Sequence, residues 1–333
     1  MRSELIKKLF VAFAEGDRER FLEISEEIIK EEEKKNHHLL AKELRKILFD
    51  NNRRLNYGKR YKANIPIPRD SDKGFPLLEI KEYYFTWDDV VLPEHLKFKL
   101  KLIVEETKQK DVLATYGLRP KQKLLFCGPP GTGKTLTSKV LSSVLKYPLV
   151  YVRFDSIVSS YLGETAANLR KIFDFIEHGQ WVILFDEFDI VGKHRDDPYE
   201  HGEIKRIVNN FMQMLDNYKG NSLIIAATNH QHLLDPALWR RFDEILFFDL
   251  PDEQRRKALF RQYLRVLETK KIDFDDLAKR TEGFSGSDIS QVCEEALRRT
   301  ILESKKYIDM EYIKWAIEEQ IRRMKIRGNK YGR

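Results

Sequence analysis

The chain is 333 residues long, 42% apolar and 34% charged, with a formal net charge of +7. That length allows two or three domains around a sizeable core, and the charge content excludes a membrane-embedded or low-complexity chain. Cys127 and Cys293 have no neighbours at metal-ligand spacing, so neither a disulfide framework nor a zinc module is expected, and the chain reads as reducing-compartment and cytoplasmic.

Residues 3–50 read as three short amphipathic helices, broken at Gly16-Asp17 and near Asn36. Leu5, Ile6, Leu9, Phe10 and Phe13 share one helical face, Phe21, Ile24, Ile28 and Ile29 the next, and Leu39, Leu40, Leu44, Ile47 and Leu48 the third. A small antiparallel bundle over 1–52 is expected, too small to stand without help from the rest of the protein or another subunit. The apolar run at 9–14 follows Lys7 and Lys8 but stops at Glu15 and has Glu4 before it, which argues against a secretory signal. No stretch approaches the length of a membrane span.

From 53 to 84 the composition shifts to Arg, Asn, Tyr, Gly, Pro and Asp, and a linker is expected. Arg53, Arg54, Lys59, Arg60, Lys62 and Arg69 occur there without an acid over 53–69. Apolar runs at 123–127, 149–154, 181–185, 223–227 and 245–248 then alternate with helical segments. This pattern predicts an α/β domain over 85–250 with a parallel five-stranded sheet covered on both faces. After Pro251 helices at 253–267, 286–302 and 310–324 follow, the middle one capped by Ser285-x-x-Asp288, so 251–333 reads as a separate helical domain. The tail repeats the basic pattern in Arg322, Arg323, Lys325, Arg327, Lys330 and Arg333.

The chemistry concentrates at the strand ends. Gly128-Pro129-Pro130-Gly131-Thr132-Gly133-Lys134-Thr135 follows the first strand and opens a helix near Lys134, the arrangement of a phosphate-binding loop, with Leu136 counted among the nucleotide-binding residues. Gly131 and Gly133 let the backbone amides turn inward, Lys134 can reach the β- and γ-phosphates of a nucleoside triphosphate, and the Thr135 hydroxyl can ligate Mg²⁺. A later strand ends in Asp186-Glu187, 52 residues beyond Lys134. Ligands of open parallel sheets sit outside the carboxyl ends of strands, so Asp186 is expected at the metal and Glu187 at the attacking water. Asn229 ends the next strand and can bond both γ-phosphate and water. Arg240 and Arg241 precede the last strand, remote from their own loop, and are candidates to reach a neighbouring subunit's phosphate.

Taken together these segments resemble the ordered signatures of an AAA-family ATPase: Walker A at 128–135, Walker B at 182–187, sensor 1 at 226–229, the second region of homology at 234–243, and the lid segment Gly283-Phe284-Ser285-Gly286-Ser287-Asp288. His201-Gly202-Glu203 and Arg206-Ile207-Val208 resemble the helix after Walker B. The resemblance covers about 85–325 and implies a P-loop NTPase αβα sandwich, a helical lid and a hexameric ring. It places adenine near Tyr116-Gly117-Leu118 and the lid contact at Gly286 and Ser287, and it makes Tyr161-Leu162-Gly163 a pore loop that grips polypeptide, with 193–200 as a second. His194 and His201 lack partners at metal spacing, so no metal is assigned to them. The two arginines are adjacent here, whereas relatives often separate them by two residues, so which one acts in trans stays open. Gly286 stands where wider relatives carry an arginine, so no arginine in cis is implied there.

The expected activity is Mg²⁺-dependent ATP hydrolysis that unfolds or remodels a protein substrate, with the N-terminal bundle recruiting an adaptor, a client or a partner protease. The rival is a nucleic-acid-associated AAA ATPase of loader type using the basic stretches, against which stand the Tyr-Leu-Gly triplet and the lack of a helix-turn-helix or zinc module. A nucleotide switch that does not hydrolyse is disfavoured by the intact Asp186-Glu187 pair.

Overall fold

Five short apolar runs and one polar one meet in a single six-stranded sheet, which a computed structural model of the chain resolves in register. Residues 2–14, 18–34, 41, 44, 66–70, 74–153, 162–188, 198–234, 236–269, 272–326 and 328 are described. The chain divides into two compact units, Met1–Asn64 and Ile65–Arg333.

In the first unit α1 (Arg2–Ala14) and α2 (Arg18–Lys34) pack through Leu5 and Ile24, with Leu9, Phe21 and Ile28 against them. The expected first face is only half used: Leu5 is buried, while Ile6 and Phe10 are 41% and 68% exposed. Most of the third expected helix lies outside the described residues.

In the second unit the strands are β1 (Glu79–Lys81), β2 (Lys123–Cys127), β3 (Leu149–Arg153), β4 (Val182–Asp186), β5 (Leu223–Thr228) and β6 (Glu244–Phe247), in the order β1-β3-β4-β5-β2-β6. The pairs from β2 to β6 are all parallel, and β1 alone runs antiparallel, on β3. β1 corrects the linker reading of 53–84. Its Pro- and Gly-rich surroundings look like a connection, yet Leu77 and Leu78 are buried and Glu79 pairs with Tyr151.

Parallel strands buried on both faces need apolar residues at consecutive positions, and every residue of β5 is buried. One face carries α3 (Glu94–Lys108) and α5 (Lys134–Leu145), whose Leu96, Leu100, Val140 and Leu141 join Leu124, Phe126, Leu184 and Ile225 in one core. A short α4 (Lys110–Thr115) follows α3. On the other face α6 (Leu162–Glu177) and α7 (Pro198–Asn217) bring Phe173 and Phe211 onto Phe185, with ring centroids 5.9 and 5.2 Å from it. A one-turn α8 (Pro236–Trp239) leads into β6.

The lid comprises α9 (Glu253–Leu264), α10 (Phe274–Arg280), α11 (Gly286–Leu302) and α12 (Met310–Ile326) around Phe260, Leu264, Ile289, Ala296 and Ile313. Strands do not stop at Pro251 as expected: β7 (Glu268–Thr269) and β8 (Tyr307–Ile308) form a two-residue parallel pair. The expected capping box is present, with Ser285 Oγ accepting from the Asp288 amide at 3.2 Å and Asp288 Oδ2 accepting from the Ser285 amide at 2.9 Å. Among the described residues no helix is long and apolar enough to cross a membrane.

Candidate nucleotide site

Register brings the sequence-distant motifs into one row. Cys127 pairs with Thr228 across β2 and β5, and Phe185 with Ala226 across β4 and β5. Asp186 at the end of β4, and Gly128, Glu187 and Asn229 just past their strands, therefore emerge at the same carboxyl edge of the sheet. There a cavity of about 610 Å³ is lined by the loop from Pro130 to Leu136, by Asp186, Glu187 and Asn229, and by Gly286 and Ser287 of the lid.

The loop is shaped by close approach. Gly128 has φ 141°, and a Cβ there would lie 2.1 Å from the Phe248 carbonyl oxygen. The Phe248 amide donates to the Cys127 carbonyl at 2.7 Å, which fixes that approach. Gly131, at φ 76°, faces the lid, where a Cβ would lie 2.6 Å from Ser285 Oγ. Its carbonyl accepts from the Ser287 amide at 3.1 Å, so the first turn of α11 sits directly on the phosphate loop. Gly128→Ala should lower the melting temperature by roughly 5 °C or more, because the clash is with backbone. Gly133→Ala, where the nearest atom is Val90 Cγ2 at 3.9 Å, should shift it less; equal losses by calorimetry would remove the crowding explanation.

Lys134 is buried, and its ammonium donates to the carbonyls of Gly128 at 2.7 Å and Pro129 at 2.8 Å, which holds it across the loop. Beneath it, burial pushes the Cys127 thiol up to about 11 despite the opposing pull of Lys134, so this cysteine stays a neutral packing group. Thr135 Oγ1 donates to Asp186 Oδ2 at 3.1 Å. Hydroxyl and carboxylate oxygens this close suit a hard cation such as Mg²⁺, which takes one or two protein ligands and completes its shell with phosphate and water.

Glu187 adopts a left-handed φ of 55°, unusual for a residue with a side chain. The reason lies in the next residue. Phe188 is fully buried, packs on Phe211 at 4.9 Å, and donates its amide to the Ala227 carbonyl at 2.9 Å. The chain must turn back into the core at once, which leaves Glu187 exposed at the cleft with its amide donating to Asp186 Oδ1 at 3.0 Å. Asn229 is half-buried and directly follows β5, where the Thr228 hydroxyl accepts from the His230 amide at 3.0 Å.

A family model described as "ATPase family associated with various cellular activities (AAA)" matches residues 124–250, and one for the AAA+ lid domain matches 271–315. The chain is 37% identical over 326 residues to the "Uncharacterized AAA family ATPase y4kL" of Sinorhizobium fredii, spanning 97% of this chain and 96% of that protein. The chain belongs to the AAA family of ATPases. It is also 33% identical over 241 residues to a "Putative 26S proteasome regulatory subunit homolog" of Methanothermobacter thermautotrophicus, covering 71% of this chain and 64% of that one. As an AAA ATPase it binds nucleotide and hydrolyses ATP.

The structure does not bring the residues expected at adenine to this cleft. Tyr116 is 79% exposed and Leu118 58%, and neither Tyr116 nor Gly117 lines the AAA cleft. The segment Asp89-Val90-Val91-Leu92 lines it instead. Val90 packs in the sheet core, Val91 packs against the lid core, and the Asp89 carbonyl accepts from Gln262 Nε2 at 2.9 Å. A short apolar run between an acid and Pro93 was the available signal. Arg255 and Tyr263 also line the cleft without a recognisable sequence cue.

Arg240 and Arg241 follow α8 and do not line the cleft. Arg241 ion-pairs with Asp216 at 2.6 Å, whereas Arg240 is exposed and makes no ion pair among the described residues. Tyr161 and most of 193–200, including His194, lie outside the described residues. Leu162 begins α6 and His201 lies in α7. The basic positions 53–62, 327, 330 and 333 also lie outside them.

Proposed function

We infer that this ATPase is a Mg²⁺-dependent protein remodeller, active as a hexameric ring whose sites are completed between subunits. The observation that carries this reading is the cation inventory of the cleft. Among the described residues lining it, the cations are Lys134 and Arg255. Arg255 is engaged by Asp249 at 2.9 Å, Asp252 at 3.1 Å and the Leu250 carbonyl at 3.0 Å. Phosphoryl transfer spreads negative charge over the γ-oxygens, and a second positive group there raises turnover by about 10³–10⁵. Arg240 and Arg241 are suited to supply that charge to the next subunit.

In this reading Thr135 and Asp186 would hold the metal, which would supply positive charge to offset that of the phosphates. Glu187 takes the proton of the attacking water, Asn229 holds that water against the γ-phosphate, and Lys134 steadies the phosphates. Tyr161 and Leu162 grip an unfolded polypeptide, since a ring on a glycine-ended loop wedges against many side chains without sequence preference. Similarity to the proteasome regulatory homolog supports a protein client. A partner protease or adaptor reached through the N-terminal helices, and a cytoplasmic location consistent with the buried free thiols, belong to the same reading.

The test separates grip from fuel use. Tyr161→Ala should keep ATP hydrolysis near the parent rate while unfolding of a fluorescent tagged client falls by roughly tenfold. Unchanged unfolding, followed as loss of client fluorescence, would remove the threading reading.

A further inference from the structure

Tyr151 is a strand residue that the ATPase chemistry does not explain. Its neighbours Val150 and Val152 are fully buried, and an apolar residue would serve equally well to fill its place in β3. Tyr151 instead directs its hydroxyl along the sheet. It pairs in register with Leu184 and reaches two residues further on β4, where it donates to Asp186 Oδ2 at 3.1 Å. The ring itself packs, partly buried, against the same core as Leu184 and Val140.

The Asp186 carboxylate thus receives three donors. Oδ2 accepts the Thr135 and Tyr151 hydroxyls, and Oδ1 accepts the Glu187 amide. A carboxylate offers about four lone-pair directions, so among the described residues these bonds leave one, on Oδ1. A second cavity of about 370 Å³ lies beyond this group, walled by Glu79, Lys81, Tyr83, Lys139 and Tyr151, and it shares Thr135, Asp186 and Glu187 with the nucleotide cleft. The carboxylate therefore borders both cavities, and among the described residues Thr135 and the Glu187 amide are the other donors that restrain its rotation.

We propose that Tyr151 is a positioning residue for the metal step: its hydroxyl locks the Asp186 carboxylate so that the remaining Oδ1 lone pair addresses the hydration shell of the divalent cation. The proposal rests on the reading of Thr135 and Asp186 as the metal-holding pair. Partners in this outer position tune metal affinity through the ligand they orient, and their loss typically weakens it 10- to 100-fold. Phe is the discriminating replacement, because it keeps the packed ring and removes only the hydroxyl.

The test titrates free Mg²⁺ against the affinity of full-length protein for a fluorescent ADP analogue, with a parallel series in EDTA. For Tyr151→Phe the affinity without metal should stay within about twofold of the parent, while the Mg²⁺ concentration giving half of the metal-dependent gain should rise about tenfold. ATP turnover should recover towards the parent rate as Mg²⁺ is raised. A midpoint within about twofold of the parent overturns the proposal, whatever happens to turnover. A loss of affinity that is equal with and without metal, accompanied by a lower melting temperature, overturns it in favour of a packing role. Should the parent's own affinity ignore Mg²⁺, the metal reading falls and takes this proposal with it, whereas failure of the variant alone leaves that reading standing.

Discussion

Glu187→Gln should bind ATP as the parent does and hydrolyse it at least about a hundredfold more slowly, the range expected when a positioned general base is removed. The substitution keeps size and hydrogen-bonding capacity and changes only the ability to take a proton. It should leave the fold intact, because the contacts that force the turn belong to other atoms. Phe188 anchors the chain in the core through the Ala227 carbonyl, and the bond to Asp186 Oδ1 comes from the backbone of Glu187. The strained φ of 55° is therefore imposed by its neighbours and is shared by Gln. Phosphate release measures the rate and equilibrium nucleotide binding the affinity. Turnover within about threefold of the parent would mean that another group takes the proton of the water, and the Asp186 carboxylate beside it would be the next to replace. A loss of binding would mean instead that the carboxylate shapes the cleft.

What could be read in the sequence follows from how local each cause is. The phosphate loop is a contiguous string whose glycines answer to backbone geometry, so residues 128–135 stand where the spacing predicts. The places of Asp186 and Asn229 at the sheet edge were legible because one ends and the other follows an unbroken apolar strand, and parallel order brings strand ends together. Ser285 announced the start of α11 through its partner Asp288, three residues on. The failures share a different origin. β1 has three residues and owes its place to one neighbour, β3, so composition gave no sign of it. The Asp89–Leu92 segment matters because the lid folds back over it, a contact separated by some 170 residues from Gln262. Tyr116 behaves likewise: only the three-dimensional path of the chain shows that it is exposed and does not line the cleft. Tyr151 looked like one more strand aromatic, since its meaning depends on a carboxylate 35 residues later.

Arg240→Ala should reduce turnover by about a thousandfold or more, with nucleotide affinity little changed, if its guanidinium reaches the site of the next subunit. The structure separates the two adjacent arginines by their partners. Arg241 is held by Asp216 at 2.6 Å, so moving it to another subunit means breaking that pair first. An exposed pair of this kind contributes only up to about 1 kcal/mol, and Arg241→Ala should accordingly trim stability slightly and turnover less than Arg240→Ala does. A reversed order of effects would make Arg241 the trans group and Asp216 its resting place. The decisive measurement uses two dead proteins. A subunit carrying Arg240→Ala keeps its own Glu187 but has no arginine to lend, and one carrying Glu187→Gln has the reverse defect. Mixed in equal amounts, they should regain activity at on the order of a quarter of the head-to-tail interfaces formed at random. Arginine and base acting within one subunit predict silence from the mixture at every ratio, because neither chain then holds a complete site. Recovery that peaks near equal proportions and vanishes at both extremes is the signature of a site built from two chains.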